Sequence, residues 1–273
     1  MRRGVWMYPG VPAGELVEAV VAADEHGLDE VWIADEGIAR EPMVVLAAAA
    51  RATSRVRLAV GITSPLLRHP GAIAATAATL DELSGGRAVL GLGVGGHESL
   101  GPFGIATERP VGVIRDAIRI ARGVFDGRPC DGYEPAAHAM PPRTVPIWVG
   151  ARGPQLVRLA AREADGVFLS GCTPEQHQQI LEQVDGVIEA DDVVPIGVAI
   201  YQSVSDRPSG PNVVGWDRIA AALTADVERF GPTSIGVNLV DLAPPPGGDA
   251  RACSAVSMVV RAAEMLQDSR SST

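Results

Sequence analysis

Short apolar stretches alternate eight times with helical stretches along this chain, and this alternation constrains its fold more than any other feature. The apolar stretches have no polar alternation, which is typical of buried parallel strands. The predicted strands are 4–8, 29–35, 56–62, 87–93, 145–150, 166–171, 194–202 and 234–240. The predicted helices are 12–27, 41–53, 69–86, 110–127, 154–164, 174–190, 216–231 and 249–267. Eight units that end in a helix predict an α/β fold, a closed (β/α)8 TIM barrel in one domain (1–273), over a doubly wound sheet.

The basic residues of the chain are all arginines, 23 in number, and the formal net charge is −10. Schiff-base catalysis and P-loop phosphate binding both need a lysine, so both are excluded. An acidic chain without a basic run is also a poor candidate for binding nucleic acid. We therefore expect a small-molecule substrate and no nucleic-acid partner.

Cysteine usage and hydropathy indicate the kind of environment in which the chain works. Cys130, Cys172 and Cys253 are odd in number and far apart, which predicts neither a disulfide framework nor a zinc site. The N-terminal apolar stretch ends at Pro9 and is too short for a signal peptide. No apolar run reaches the length of about 18 residues that a membrane helix needs. We expect a cytoplasmic protein without a membrane span or a catalytic metal.

Gly91, Gly93 and Gly96 form a G-x-G-x-x-G pattern after the fourth predicted strand, a spacing typical of dinucleotide-binding sites. Such a site needs a helix that begins at the third glycine. The segment that follows, HESLGPFGIATERP, predicts instead a short irregular insertion in which no helix begins at Gly96. Either the glycines line a crowded barrel interior, or they leave bare backbone against which a flat ligand can lie. We favour the flat ligand, because the carboxyl ends of barrel strands form the active site.

Three stretches carry a resemblance to a known family: GLDEVWIAD, VRLAVGITSPLLRHPGAIAATAATLDELSGGRAVLGLGVGG and VPIWVGARGPQLVRLAAREADGVFLSG. They resemble the bacterial luciferase-like monooxygenase family, and more narrowly its branch of coenzyme F420-dependent oxidoreductases. The resemblance extends from the first strand to about Thr173 and is weaker beyond it. Because FMN-dependent members share the same stretches, the resemblance implies F420 as cofactor with FMN as the alternative.

The resemblance also implies where the cofactor lies. It implies a planar ring at the carboxyl ends of the strands and a non-proline cis peptide behind that ring, which maps onto Gly61–Ile62 or the peptide bond next to it. It implies that the phosphate is held by the loops after the fifth and sixth strands, here GARGPQ and SGCTPE. The residues expected to bind the cofactor are Asp35, Gly61, Ile62, Thr63, Gly93, Gly95, Gly96, Arg152, Gly153, Ser170, Gly171, Cys172 and Thr173.

The physics of the two phosphate loops supports the same assignment. A helix follows GARGP, so free backbone N–H groups and the charge of Arg152 would face an anion. Thr173 and Gln176 have the spacing of a capping box at the start of the next helix. Helix capping alone would explain these residues, but capping and phosphate binding are compatible and we expect both. Cys172 is expected to be a buried filler rather than a reactive thiol.

Candidates for acid–base chemistry follow the second and fourth strands. Asp35 is the best polar candidate for contact with the ring, although it could simply begin a solvated loop. Several F420 enzymes of the family carry a glutamate directly after the glycine motif, where this chain has Gly96, followed by His97 and Glu98. One of these two residues takes the role, or no acid is needed, or the activity is absent. The expected catalytic residues are Asp35, His97 and Glu98, whereas His69 is expected to pack or cap a helix and His177 to lie at the surface.

The resulting prediction is an F420-dependent oxidoreductase that transfers a hydride between the deazaflavin and a small organic substrate. The alternatives are an FMN-dependent luciferase-like monooxygenase and a non-catalytic flavin or F420 binder. Phe103 and Tyr133 could contact the substrate from the irregular segments. The resemblance implies a homodimer formed through the helices after the second and third strands, whose alanine-rich stretches LAAAARA and AATAATL permit close contact.

Overall fold

The computed structural model describes residues 1–130, 132, 134, 136, 143–191, 196–208, 212–242 and 254–268. In this part of the chain the strands are β1 (Arg2–Met7), β2 (Glu30–Ile33), β3 (Arg57–Thr63), β4 (Ala88–Leu92), β5 (Ile147–Gly150), β6 (Gly166–Ser170), β7 (Gly197–Ser205), β8 (Val213–Gly215) and β9 (Ser234–Leu239). The helices are α1 (Ala13–Glu25), α2 (Pro42–Ala50), α3 (Pro70–Ser84), α4 (His97–Leu100), α5 (Pro110–Asp126), α6 (Pro154–Glu163), α7 (Pro174–Asp191), α8 (Ile219–Phe230) and α9 (Ala255–Asp268).

The sheet closes on itself and confirms the predicted (β/α)8 barrel. β1 pairs in parallel with both β2 and β9, and the ring continues through β3, β4, β5, β6 and β7 back to β9. Strand β8 pairs with β7 outside this ring of eight. It was not predicted from the sequence, because three residues are too few to carry a period. No helix in the described ranges is long and apolar enough to cross a membrane.

Helix α4 corrects one expectation from the sequence. We expected no helix to begin at Gly96, yet a single turn spans His97–Leu100, with the Leu100 N–H donating to the Gly96 carbonyl at 3.0 Å. The Ser99 hydroxyl closes this turn by accepting from the Gly96 N–H and donating to its carbonyl, both at 3.1 Å. The prolines and glycines beyond it still prevent a long helix, and a 3₁₀ turn follows at Gly101–Phe103.

Large aromatic rings fill the inside of the barrel. Trp32 stacks on Phe168 with ring centroids 4.4 Å apart and meets Trp148 edge-on at 5.8 Å. Glycines on neighbouring strands make room for these rings. A Cβ atom on Gly166 would lie 2.5 Å from the Trp148 ring, and one on Gly197 would lie 2.7 Å from it. The interior can therefore hold these large rings only because the neighbouring glycines have no side chains.

A buried carboxylate closes the end of the barrel at which the strands begin. Glu30 is fully buried, and its Oε1 accepts from the Trp32 indole at 2.9 Å and from the Tyr201 hydroxyl at 2.8 Å. Its Oε2 pairs with Arg2 at 3.1 Å and with Arg57 at 3.4 Å. Contact with this carboxylate and burial raise the pKa of Tyr201 well above its ordinary value, and burial is the larger cause. The charge of Glu30 is thus fully compensated inside the protein.

His177 corrects the second expectation, because it is buried and not at the surface. It lies in the first turn of α7 under α8, with its ring edge-on to Phe230. Neither imidazole nitrogen has a hydrogen-bond partner among the described residues, and the nearest carboxylate oxygen, of Asp226, is 3.9 Å from Nδ1. Burial lowers the pKa of His177 to about 4. The sequence did not reveal this, because the glutamines that surround His177 in the chain are typical of an exposed helix.

We expect the substitution Gly166→Ala to reduce the free energy of unfolding by about 1–3 kcal/mol, because its methyl group would press on the buried Trp148 ring. Urea denaturation measures this change. The control is Gly186→Ala in α7, where nothing lies within 4 Å and alanine should stabilise the helix by up to about 1 kcal/mol. Adding Trp148→Phe to Gly166→Ala should recover part of the loss. Equal effects of the two alanine substitutions would contradict the proposed ring–glycine match.

The burial of neutral His177 predicts a loss of stability at acidic pH. The unfolded chain binds a proton at this residue near pH 6.5, whereas the folded protein does so only near pH 4. Stability should therefore fall by up to about 3 kcal/mol as the pH drops through this window. Burial raises the pKa of Asp226, which opposes the loss at the acidic end.

The urea midpoints at pH 5 and pH 7.5 test this prediction in the native protein and in His177→Leu. The leucine variant should lose less stability between these two pH values than the native protein. His26→Gln, at an exposed position after α1, should leave the native pH dependence unchanged. If His177→Leu kept the full native difference, the assignment to His177 would be wrong.

Candidate functional site

A cavity of about 640 Å³ opens at the end of the barrel where the strands finish. Its walls come from strand ends and from the loops that follow them. The lining residues are Trp6, Asp35, Glu36, Gly61, Ile62, Gly93, Val94, Gly95, Gly96, Ser99, Gly150, Ala151, Arg152, Leu156, Phe168 and Ser170. This volume lies in the range of sites that bind small molecules and cofactors.

Eight of the residues that we expected to bind a cofactor line this cavity: Asp35, Gly61, Ile62, Gly93, Gly95, Gly96, Arg152 and Ser170. The other five, Thr63, Gly153, Gly171, Cys172 and Thr173, lie beside it in sequence but are not part of its lining. The sequence analysis missed Trp6 and Phe168. Both end up at the mouth because they lie near the carboxyl ends of β1 and β6, a signal that could have identified them.

The back wall of the cavity is the Gly61–Ile62 segment. Its peptide bond is cis, as the resemblance implied, and the register of β3 against β4 shifts between Val60 and Thr63. The Trp6 indole donates to the Gly61 carbonyl at 2.5 Å. A Cβ atom on Gly93 would lie 2.6 Å from Ile62 Cδ1, and one on Gly150 would lie 2.8 Å from Ile62 Cγ2. Two glycines thus make room for the Ile62 side chain at the cavity wall.

The glycines of the motif have two different roles. A Cβ atom on Gly91 would lie 2.3 Å from the Val60 carbonyl, so Gly91 and Gly93 serve the crowded interior that we regarded as the less favoured interpretation. Gly95 has a φ of 90°, which side-chain-bearing residues rarely adopt. A Cβ atom on Gly96, by contrast, would meet nothing within 4 Å. Of these glycines, Gly96 presents bare backbone to the open cavity.

The starts of α6 and α7 differ in their capacity to bind an anion. Thr173 and Gln176 form the predicted capping box, with N–H to side-chain oxygen distances of 2.8 and 3.3 Å. Helix α6 begins after Gly153 without any side-chain cap, so its first N–H groups remain open to an anion. Arg152 stands beside this helix start and donates to the Ser170 carbonyl at 2.9 Å. The arrangement favours the α6 start and Arg152 for an anion over the α7 start.

Cys172 is buried below this loop, as expected. Burial raises the pKa of its thiol, and the neighbouring Arg152 opposes the rise only in part. A thiol that keeps its proton is a weak nucleophile. The geometry therefore agrees with a packing role for this side chain.

Asp35 is held by three donors at the rim of the cavity. Its Oδ2 accepts from the Thr63 hydroxyl at 2.6 Å and from Arg68 Nη2 at 2.9 Å, and its Oδ1 accepts from the Gly37 N–H at 3.1 Å. Arg68 also contacts the Thr63 hydroxyl at 3.0 Å and Glu41 at 2.9 Å. This clamp joins the loops after β2 and β3, and it holds the Asp35 carboxylate in one orientation. Arg68 was missed by the sequence analysis.

The remaining candidates lie around the rim. The backbone of His97 and Glu98 forms the start of α4 between the lining residues Gly96 and Ser99, while their side chains lie outside the described part of the chain. Phe103 is 49% exposed and does not line the cavity. Tyr133 lies outside the described residues. His69 caps α3 by accepting from the Gly71 N–H at 3.1 Å, which confirms the expected capping role.

Comparison with known proteins gives relatives that are named as a reductase and a dehydrogenase. The chain is 29% identical over 254 residues to the 5,10-methylenetetrahydromethanopterin reductase of Archaeoglobus fulgidus, covering 88% of this chain and 76% of the reductase. It is 34% identical over 198 residues to an F420-dependent glucose-6-phosphate dehydrogenase of Nakamurella multipartita. That match covers 64% of this chain and 58% of the dehydrogenase.

A solved structure and a family match complete the comparison. The structure of monooxygenase RslO1 from Streptomyces bottropensis has a TM-score of 0.79 at 22% identity, covering 98% of this chain and 99% of that one. At this identity the likeness concerns the fold. Residues 1–209 match the luciferase-like monooxygenase family. Because this match covers most of the sequence and agrees with the barrel and its mouth, the chain belongs to the luciferase-like monooxygenase family.

Proposed function

We propose that the chain is an F420-dependent oxidoreductase that transfers a hydride between the deazaflavin and a small organic molecule. The observation that carries the proposal is the open cavity at the barrel mouth, with Ile62 on one wall and bare backbone at Gly96. The names of the two relatives, an F420-dependent dehydrogenase and a methylenetetrahydromethanopterin reductase, support the same chemistry.

The residues at the mouth fit the two parts of such a cofactor. Trp6, Ile62 and Phe168 give apolar and aromatic surface suited to one face of a planar ring. Arg152 and the uncapped start of α6 give a positive end suited to a phosphate. The bound deazaflavin would supply the hydride chemistry.

The protein itself would hold the cofactor in position and exclude water from one side of it. The packed barrel below Ile62 excludes water from one side of the cavity, since the rings of Trp32 and Phe168 fill that space. Asp35, Thr63 and Arg68 fix the loop that forms the rim next to the same wall. We infer that Asp35 serves to position this wall. A proton, if the reaction needs one, would come from His97 or Glu98 at the start of α4.

An FMN-dependent monooxygenase is the second candidate. It is favoured by the likeness in fold to monooxygenase RslO1 over nearly the whole chain. A planar slot and a phosphate anchor would suit FMN as well as F420. Cofactor preference therefore decides between the two candidates.

Titration of the protein with F420 and with FMN, followed by quenching of cofactor fluorescence, tests the proposal. We expect a dissociation constant for F420 at least tenfold lower than for FMN, a difference of about 1.4 kcal/mol. Gly96→Leu should weaken F420 binding by about tenfold or more without loss of stability, because its side chain would enter space that no protein atom fills. The control is Gly186→Leu, at an equally open position in α7.

Three results would change the assignment. Tighter binding of FMN would favour the monooxygenase, and unchanged binding in Gly96→Leu would place the cofactor elsewhere. The third concerns the protein loaded with reduced F420 and offered activated alkenes, imines and alcohols. Tight F420 binding without turnover of any of these compounds would favour the non-catalytic binder.

We also propose that two copies of the chain associate through α2 and α3. Among the outward-facing positions of these helices, Val44 is 68% exposed and Leu83 is 40% exposed. Their other exposed positions carry small residues, Ala48, Ala72, Thr76 and Thr79, and the one charged residue is Glu82. Small side chains permit close helix contact, and a face with large exposed apolar residues and a single charge is suited to a second copy of itself.

Light scattering during gel filtration should give the mass of two 28.4 kDa chains for the native protein. Val44→Glu should give single chains, because the association would bury its charge while the folded monomer leaves it exposed. Ala221→Glu, at an exposed position of α8, should remain a pair. A native protein with the mass of one chain would refute the proposal.

A further inference from the structure

A layer of polar side chains lies on the cavity side of the aromatic rings inside the barrel. Side chains two residues apart on a strand share a face, so Ser170 lies on the same face of β6 as the interior ring of Phe168. Ser203 lies in the same way beyond Tyr201 on β7, and Asn238 on β9 is in register with Ser203. We call Ser170, Ser203 and Asn238 the polar layer. Of these three residues, Ser170 lines the cavity.

The Asn238 amide is buried, and its contacts fix its orientation. Its Nδ2 lies 2.8 Å from Ser170 Oγ, 3.2 Å from Ser203 Oγ and 3.2 Å from the Tyr201 carbonyl oxygen. A backbone carbonyl can only accept a hydrogen bond, so the amide must turn its NH2 group, and not its oxygen, towards Tyr201. The same NH2 group therefore donates to Ser170 Oγ.

Packing does not explain an asparagine at this position. The Oδ1 atom of Asn238 is buried and has no hydrogen-bond partner among the described residues. A buried acceptor without a partner lowers the stability of the fold. The asparagine is thus unfavourable at its oxygen, and what it contributes is the NH2 group that faces Ser170.

This donation leaves the hydrogen of the Ser170 hydroxyl for the cavity. A serine hydroxyl has one hydrogen to donate and accepts with its oxygen lone pairs. Asn238 donates to that oxygen, and no acceptor for the hydrogen lies among the described residues. Arg152 donates to the Ser170 carbonyl at 2.9 Å, and the start of α6 on this side attracts negative charge. The ligand atom that fits beside Ser170 is therefore an anionic oxygen.

We propose that Asn238 is a positioning residue that makes Ser170 a hydrogen-bond donor to the phosphate of the ligand in the cavity. Asn238 acts through Ser170 and does not itself line the cavity. The inference rests on the proposed function, because it takes the anionic oxygen to belong to the phosphate of F420. Without the amide the Ser170 hydroxyl is free to rotate, and its hydrogen is no longer directed to the phosphate.

Binding of two ligands to a set of variants tests the inference: F420 and the corresponding deazaflavin without the phosphate. Ser170→Ala should weaken F420 binding by about tenfold and leave the phosphate-free deazaflavin unchanged, because a hydrogen bond to a charged group is lost. Asn238→Leu keeps the size of the side chain without its NH2 group and should weaken F420 binding several-fold. In the Ser170→Ala background the same replacement should not change the ratio of the two dissociation constants further.

Ser203→Ala is the matched control. It removes the other hydroxyl that Asn238 contacts and leaves the pair of Asn238 and Ser170 in place. This variant should keep the native ratio of the two dissociation constants. Asn238→Ala, which removes the NH2 group with a smaller side chain, should repeat the pattern of Asn238→Leu.

Three results would overturn the inference and leave the proposed function intact. They are unchanged F420 affinity in Ser170→Ala, equal weakening of both ligands by Asn238→Leu, and the same loss of F420 affinity from Asn238→Leu with and without the Ser170 hydroxyl. The second of these results would assign a purely structural role to Asn238. A native protein that binds neither ligand would refute the proposed function itself.

Discussion

The structure depends on fitting large aromatic rings inside a barrel of only eight strands. Trp148 occupies space that is available because Gly166 and Gly197 carry no side chains. Such an interior is rigid, since rings of this size cannot change conformation without moving several strands. The Trp32 ring of the same cluster lies against Gly61, next to the cavity wall at Ile62. A ligand at the mouth would therefore meet a surface that does not yield.

The mouth combines this rigid wall with a rim that is fixed by ion pairs. Arg68 binds Asp35 and Glu41 together, so that the loops after β2 and β3 behave as one unit. The opposite side of the mouth is built from backbone at the start of α6 and from Arg152. The side of the cavity at Asp35 and Arg68 thus gives it a fixed shape, and the side at Arg152 gives it positive charge.

The alternation of apolar and helical stretches was sufficient to predict the barrel, because the buried strands are apolar runs and several helices begin at a proline, such as Pro42 or Pro154. The cis peptide at Gly61–Ile62 was predicted through the resemblance and not from composition or spacing. Contacts between distant segments carry no local signal, and for this reason the sequence did not reveal that Arg68 holds Asp35. The burial of His177 depends likewise on α8, which covers it from elsewhere in the chain.

The two ends of the barrel are subject to different demands. At the closed end, Glu30 accepts from side chains of four other strands, so that the loss of one of these donors would leave a buried charge short of a partner. At the open end, the loops can change length and composition without disturbing that arrangement. Divergence among proteins built on this plan should accordingly accumulate around the opening, while the floor tolerates almost none.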